Sequence, residues 1–410
     1  MPSPSISPAL APLAAAAPST PLGPFIDSAI AWTTWITLMG TVGVAALALV
    51  SAGPAAARTA PGALARITAR LGLAAGVLAL LAVPAVLTDL AHGASKSGGY
   101  DYAAAWDVLY DGSNAGRLSG LEVTLSLVAA ALLLPLANRA VAAGRARTWL
   151  LSTGLAAGVV ALGTTKFPNK APEDWGRTSF DTLIWMLHLQ GGAVWLGGLA
   201  GLLLLAAPGA VPAEERRAFW SVAIRRFSVA AMSCVAAISL SGLFLYWEHV
   251  DGPTQLVTTM YGRVLGVKIL LFGGLMLLGV FNQFWLHPRI EALRDEGDQR
   301  PLVTVLLRRF PLVVAVEVVL AMTLLFVAPF LHGSARNQAF QAKAAEQSAT
   351  PIPAKKLPKL AAKEVTSTTW VLGTTETVAV IVLMGAAYRF SGRLARRRTG
   401  AALVAVPATD

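Results

Sequence analysis

Charge is scarce in this 410-residue chain: Asp, Glu, Lys and Arg together make up 13% of it, against 55% apolar residues. A chain so composed cannot cover itself with water-compatible side chains, which excludes an ordinary soluble domain. Its one cysteine, Cys234, excludes an intramolecular disulfide, and a lone cysteine inside an apolar run reads first as a small core residue. No Walker A phosphate loop, no His-Glu-x-x-His zinc motif and no Cys-Pro-Cys motif with an aspartyl-phosphate loop occurs, so the chain is not expected to be an enzyme. The first 25 residues carry no charge, so the basic start of a cleavable signal peptide is missing. Their Pro, Ala and Ser content predicts instead a disordered external tail over 1–26.

What the chain does have is long apolar runs. Spans of about 20 apolar residues, the length needed to cross a bilayer as a helix, recur along most of it. They fall at roughly 27–51, 66–91, 119–137, 148–165, 180–206, 222–247, 262–286, 305–331 and 369–390, separated by Gly, Pro and charge clusters. The expected fold class is all-α: a polytopic membrane helix bundle of about nine transmembrane helices. Arginines crowd the loops after the first, third, fifth and seventh spans (Arg58, Arg66 and Arg70; Arg139, Arg145 and Arg147; Arg216, Arg217, Arg225 and Arg226; Arg289, Arg294, Arg300, Arg308 and Arg309) and the tail at 391–410. The positive-inside rule places those loops in the cytoplasm, the N-terminus outside and the C-terminus inside. The net charge of +11 is then orientation signal and contact with anionic lipid, not a nucleic-acid surface. One segment pulls against the rule: 332–368 would be an external loop, yet it carries Lys343, Lys355, Lys356, Lys359 and Lys363.

Similar features recur between two stretches, 27–165 and 180–331. Asp27 opens the first span as Asp181 opens the fifth, and His92-Gly93 closes the second as His249-Val250-Asp251-Gly252 closes the sixth. Arg117-Leu-Ser-Gly-Leu-Glu122 and Arg263-Val-Leu-Gly-Val-Lys268 open the third and seventh, and Asn138 and Asn282 lie near inner ends. Four spans per unit would give two parallel repeats, with the span at 369–390 outside them. Chance similarity between apolar helices is the alternative.

Four of the five histidines, His92, His188, His249 and His332, fall toward the external ends of their spans. Histidine is costly in hydrocarbon and is a versatile metal ligand, so an ion or cofactor site is expected there, with Asp89 (one turn before His92) and Asp181 as carboxylate neighbours. Three of the four lie at helix ends, where an imidazole facing headgroups is ordinary. His188 lies roughly 10 Å inside its helix, flanked by Trp185 and Trp195, and demands more explanation. Met186 is two residues away, about 200° around a regular helix, and so cannot share an ion with it. Lys268, Glu317 and Glu122 are charges at membrane depth. Pairing of Lys268 with Glu317, or with Glu122, is the economical expectation.

The run His188-Leu-Gln-Gly-Gly-Ala-Val-Trp195-Leu-Gly-Gly198 resembles the signature helix of the CopD family of bacterial copper-resistance and copper-transport membrane proteins. The resemblance continues through Arg226-Phe-Ser228, Ser241-Gly242, Tyr261-Gly-Arg-Val-Leu-Gly-Val-Lys268, Asn282, Arg308-Arg309 and Glu317, covering roughly 180–331. It implies transport or handling of copper ions, often beside a periplasmic copper-binding partner of the CopC type. Imidazole suits copper, and thioether and thiol suit Cu(I), which makes Met232, Cys234 and Met322 candidate inner waypoints, with core filling as the plainer reading. Met-rich external segments and a cytoplasmic Cys-x-x-Cys are both lacking. The competing expectation is a haem b electron-transfer protein using the same histidines as axial ligands. Oligomeric state is left open.

Overall fold

The computed structural model describes residues 25–95, 99–286, 311–331, 333–347 and 363–404, with a few isolated positions between these stretches. His332, Arg294, Arg308, Arg309, Lys355, Lys356, Lys359 and most of the N-terminal tail lie outside the described residues. Described positions in regular structure are helical, and none is in a strand. In the order of the chain the helices are α1 (Phe25–Thr59), α2 (Pro61–Ala94), α3 (Tyr102–Tyr110), α4 (Asn114–Ala137), α5 (Ala146–Thr164), α6 (Trp175–Ala206), α7 (Arg216–His249), α8 (Met260–Phe281), α9 (Pro311–Val327), α10 (Ala335–Gln347) and α11 (Ser367–Val404).

Among the described residues, eight helices are long and apolar enough to cross a membrane, nine if the bent pair formed by α9 and α10 counts as one span. The protein is a multi-pass membrane helix bundle. Short polar side chains start several helices by accepting a hydrogen bond from a backbone N–H of the first turn: Asp101 before α3, Ser113 before α4, Asp174 before α6 and Thr259 before α8. Three elements depart from the sequence reading. Helix α3 stands in a connection with no helical expectation, α10 lies within the expected loop at 332–368, and α11 runs on to Val404, well past the apolar span at 369–390.

Helix α1 is the centre of the bundle. In its most apolar stretch 72% of residues are buried, against 11% for α7 and for α8. The outer helices instead leave Leu270, Leu277 and Val280 bare, as a surface solvated by lipid tails requires. Helices α1 and α6, the first of each expected repeat unit, cross with backbones touching at Gly43 and Gly197. A Cβ on Gly43 would collide with the carbonyl oxygen of Ala193 and with Gly197, so only glycine permits the crossing. Both helices carry a π-turn near this crossing, Ala193–Gly197 in α6 and Ala48–Ala52 in α1.

Ring contacts and ion pairs bring the start of α1 and the ends of α2, α7 and α9 to one face. Phe25 meets Phe330, Asp27 meets His92, and Val250, Tyr261 and Ala335 share an apolar cluster with Leu331. At the opposite face arginines hold carbonyls: Arg66 that of Gly209, Arg70 that of Pro208 and Arg226 that of Val50.

Candidate functional site

His188 lies where α6 packs on α7. Gly191, one turn further on, has no side chain to hold the helices apart: a Cβ there would meet the Cys234 carbonyl at 3.2 Å. Across this contact the His188 Nδ1 is 3.1 Å from Ser241 Oγ. The Ser241 hydroxyl donates to the Ala237 carbonyl at 2.5 Å, so its hydrogen is committed and its oxygen can only accept. Nδ1 therefore carries the proton in the neutral ring, and Nε2 keeps a lone pair available for a metal. Trp185 presents an edge-on ring to the imidazole at 6.3 Å. Lys166, just past the end of α5, sits over that indole at 4.4 Å and over Trp35 at 5.9 Å. Burial pushes the Lys166 ammonium below the usual lysine range.

The helix-end groups form two separate corners. In one, His92 Nε2 meets Asp27 Oδ1 at 2.5 Å while Nδ1 faces the Gly99 carbonyl at 3.2 Å. Asp89 is within electrostatic reach of both Asp27 and His92. In the other, the Arg177 guanidinium binds Asp181 through Nε (3.0 and 3.1 Å) and Glu248 through Nη2 (2.8 Å), and donates to the Lys363 carbonyl through Nη1 (3.0 Å). His249 lies at the edge of this cluster, with Nδ1 donating to the Leu245 carbonyl at 2.8 Å and 3.8 Å from Glu248 Oε2, and with its ring stacked on Tyr261.

A polar strap covers the second corner. Arg336 on α10 binds Asp251, and Gln338 accepts from the Tyr261 backbone N–H. The Lys363 ammonium holds the Trp247 and Val250 carbonyls and Asp251.

The structure does not bring the described histidines into one cluster. His92, His188 and His249 each have a different partner, and among the described residues no three His, Cys, Asp or Glu side chains converge as a metal ion would need. The expected ion pair of Lys268 with Glu317 or Glu122 is also absent. Glu317 accepts from the Asn282 amide at 3.0 Å, and Glu122 is buried. The Glu317 carboxylate reached a neutral donor first, which a sequence scan for opposite charges does not see. Cys234 is partly buried against the core, seven residues before Ser241 on the same stripe of α7 and so about 10 Å along the helix from it. Met232 is partly buried, and Met322 is exposed. Sequence reasoning missed Arg177, although its spacing of four residues from Asp181 was a usable signal. It missed Lys166 and Lys363 for want of any local one.

Residues 221–331 match the family model described as Copper resistance protein D. Over that segment the chain is similar to the CopD family. Two curated relatives agree. The chain is 34% identical over 96 residues to "Copper transport protein CutJ" of Bacillus subtilis (strain 168), 23% of this chain and 17% of that one. It is 31% identical over 150 residues to "Copper resistance protein D" of Pseudomonas syringae pv. tomato, 34% of this chain and 46% of that one. Each alignment thus spans less than half of the relative. No solved structure matches the chain. The CopD segment begins within α7 and takes in Ser241, Glu248, His249, Lys268 and Glu317, while His188 lies before it.

Proposed function

We propose that this protein moves copper ions across the bacterial cytoplasmic membrane, in copper homeostasis or resistance, with His188 as its principal metal contact. The observation that carries the reading is the Ser241–His188 hydrogen bond, which fixes the ring so that Nε2 offers its lone pair at the α6–α7 contact. The CopD match and the printed names of both relatives support copper as the cargo. The corner at His92, Asp27 and Asp89 and the corner at His249 and Asp181 serve as outer capture points, and His332, outside the described residues, is a further candidate. Cys234 and Met232 mark the inward route, and Met322 is the weakest member of that relay because of its exposure. The arginine-lined face is cytoplasmic in this reading. The strap face is then external and is where a CopC-type copper-binding protein would dock. No observed geometry favours haem, since each described histidine is engaged by a different neighbour.

Metal and haem analysis of the purified protein beside His188→Ala tests the proposal. Copper retained by the wild type and lost at least tenfold in the variant is the expected result. Equal copper in both, or a Soret band in the wild type, would overturn it.

A further inference from the structure

Bare apolar surface on the outer helices needs no protein partner, because lipid tails cover it. Helix α11 is different. It is long and apolar enough to cross the membrane, and none of its most apolar stretch within Ser367–Ala386 is buried. Yet it carries a carboxyl group in mid-span. Glu376 stands nine residues after Ser367, roughly 13 Å along the helix and so near the centre of a hydrocarbon layer about 30 Å thick. It is exposed, and no hydrogen bond or ion pair reaches it from the described residues. The flanking hydroxyls cannot help: Thr375 donates to the Val371 carbonyl at 2.8 Å and Thr377 to the Gly373 carbonyl at 2.7 Å, so both hydrogens are committed. Lys268 shares its stripe of α8 with the buried Val264 and Leu275, which turns it away from any helix outside the bundle. A lone carboxyl group facing lipid tails is costly, so its partner must come from another molecule.

The stripe that carries Glu376 indicates what that partner is. Leu372, Glu376, Ala379, Leu383 and Ala386 follow one another at spacings of four, three, four and three, the repeat of a coiled-coil seam. All five are exposed, Leu372 at 55% and Leu383 at 68%. The partly covered positions of the helix, Thr369, Val380 and Met384, lie on an adjacent stripe and leave the seam open. We propose that this seam of α11 binds the same seam of a second copy of the chain, with the two Glu376 carboxyl groups meeting at its centre. Two copies in one membrane share an orientation, so a parallel pair sets each seam residue against its own counterpart at the same depth. The second copy thus brings a carboxyl group to the level where one is needed. Two carboxylates this close in hydrocarbon cannot both stay ionised. One takes up a proton from water as the helices meet and donates its O–H to an oxygen of the other. The alanines allow the helices to approach, and one polar layer in an apolar seam fixes register and helix number. The inference is independent of the copper reading.

The test is subunit counting by single-molecule photobleaching of the full-length protein in lipid bilayers, over a range of protein-to-lipid ratios. Wild type should pass from one bleaching step to two as its density rises. Glu376→Leu should weaken the dimer by roughly tenfold, whereas Glu376→Gln, whose amide both donates and accepts, should keep most of the association. Neither change touches the buried core, so both variants should fold as wild type does. Disulfide trapping in membranes then reads the register. Ala379→Cys should cross-link to its counterpart, and Ile381→Cys, roughly 200° around the helix, should not rise above the background set by Cys234 alone. Wild type that stays monomeric at every density would overturn the proposal and leave a foreign helix bearing a cation as the partner of Glu376. An undiminished dimer in Glu376→Leu, or cross-linking as strong at Ile381→Cys as at Ala379→Cys, would overturn it too, by moving the interface off this seam.

Discussion

Asp27 and Asp181 stand at corresponding places near the starts of α1 and α6, and His92 and His249 at the ends of α2 and α7, yet only the first pair meet. In the first corner the imidazole and the carboxylate bond directly at 2.5 Å. In the second, Arg177 sits between Asp181 and Glu248, and the histidine hydrogen-bonds a carbonyl of its own helix and stacks on Tyr261, with Glu248 no nearer than 3.8 Å. One arginine, four residues before Asp181, accounts for the difference. A guanidinium offers five donors in a rigid fork and outcompetes an imidazole for carboxylates. It also has a donor to spare for the Lys363 carbonyl, which ties the strap to this corner alone. Corresponding residue types therefore do not give corresponding sites. A metal reaching Asp181 must displace a cation already bound, whereas at Asp27 it competes only with an imidazole that is itself a ligand.

The largest expected effect on that contrast is from Arg177→Leu. It leaves Asp181 and Glu248 facing one another without a cation and cuts the strap free. Breaking a buried ion pair costs about 3–5 kcal/mol. Here the three side chains keep 21%, 29% and 19% of their surface exposed, so about 2–3 kcal/mol is expected. The unfolding midpoint in detergent reads this, and a change below 0.5 kcal/mol (order of magnitude for an exposed pair) would show the clamp to be incidental. The same variant should gain metal affinity at the second corner, measured as copper retained when His188 is also alanine.

The middle effect belongs to the first corner. Asp27→Asn keeps the shape and a hydrogen-bond partner for His92 but removes the charge. Asp27 is 45% exposed, so a stability loss well under about 1 kcal/mol is expected. A loss as large as that from Arg177→Leu would erase the proposed contrast between the corners.

Much of this architecture was legible in the sequence, because a bilayer imposes a length and composition on each helix that few other constraints imitate. The nine apolar runs match the eight membrane-length helices and the bent pair. His188 stood out because imidazole flanked by Trp185 and Leu189 is costly without a purpose, and Ser241 does hold it. The partners of the charged residues were not legible. Arg177 reaches Glu248 and Lys363 across 71 and 186 residues of chain, a separation only the packed bundle closes. Lys268 and Glu317 looked like a pair because both are charged at similar depth, yet an amide on α8's own C-terminal side satisfies the glutamate. Opposite charge sets an attraction, but which groups come within bonding range is set by helix rotation, which a weakly amphipathic membrane helix hardly encodes.

The smallest expected effect tests the strap itself. Lys363 places its ammonium on the Trp247 and Val250 carbonyls at the C-terminus of α7, where unpaired carbonyls and the negative end of the helix dipole favour a cation. A contact of this kind is worth about 0.3–1 kcal/mol, and Lys363→Met should lose that much while also releasing Asp251 to Arg336 alone. The more sensitive readout is limited proteolysis between α10 and α11, where cleavage should quicken several-fold if the strap opens from this point. Arg177 and Lys363 hold the same stretch of chain, so the stability loss in the double variant should fall short of the sum of the single losses. Strict additivity would mean that Arg177 acts on Asp181 and Glu248 only. The strap would then play no part in what distinguishes the second corner from the first.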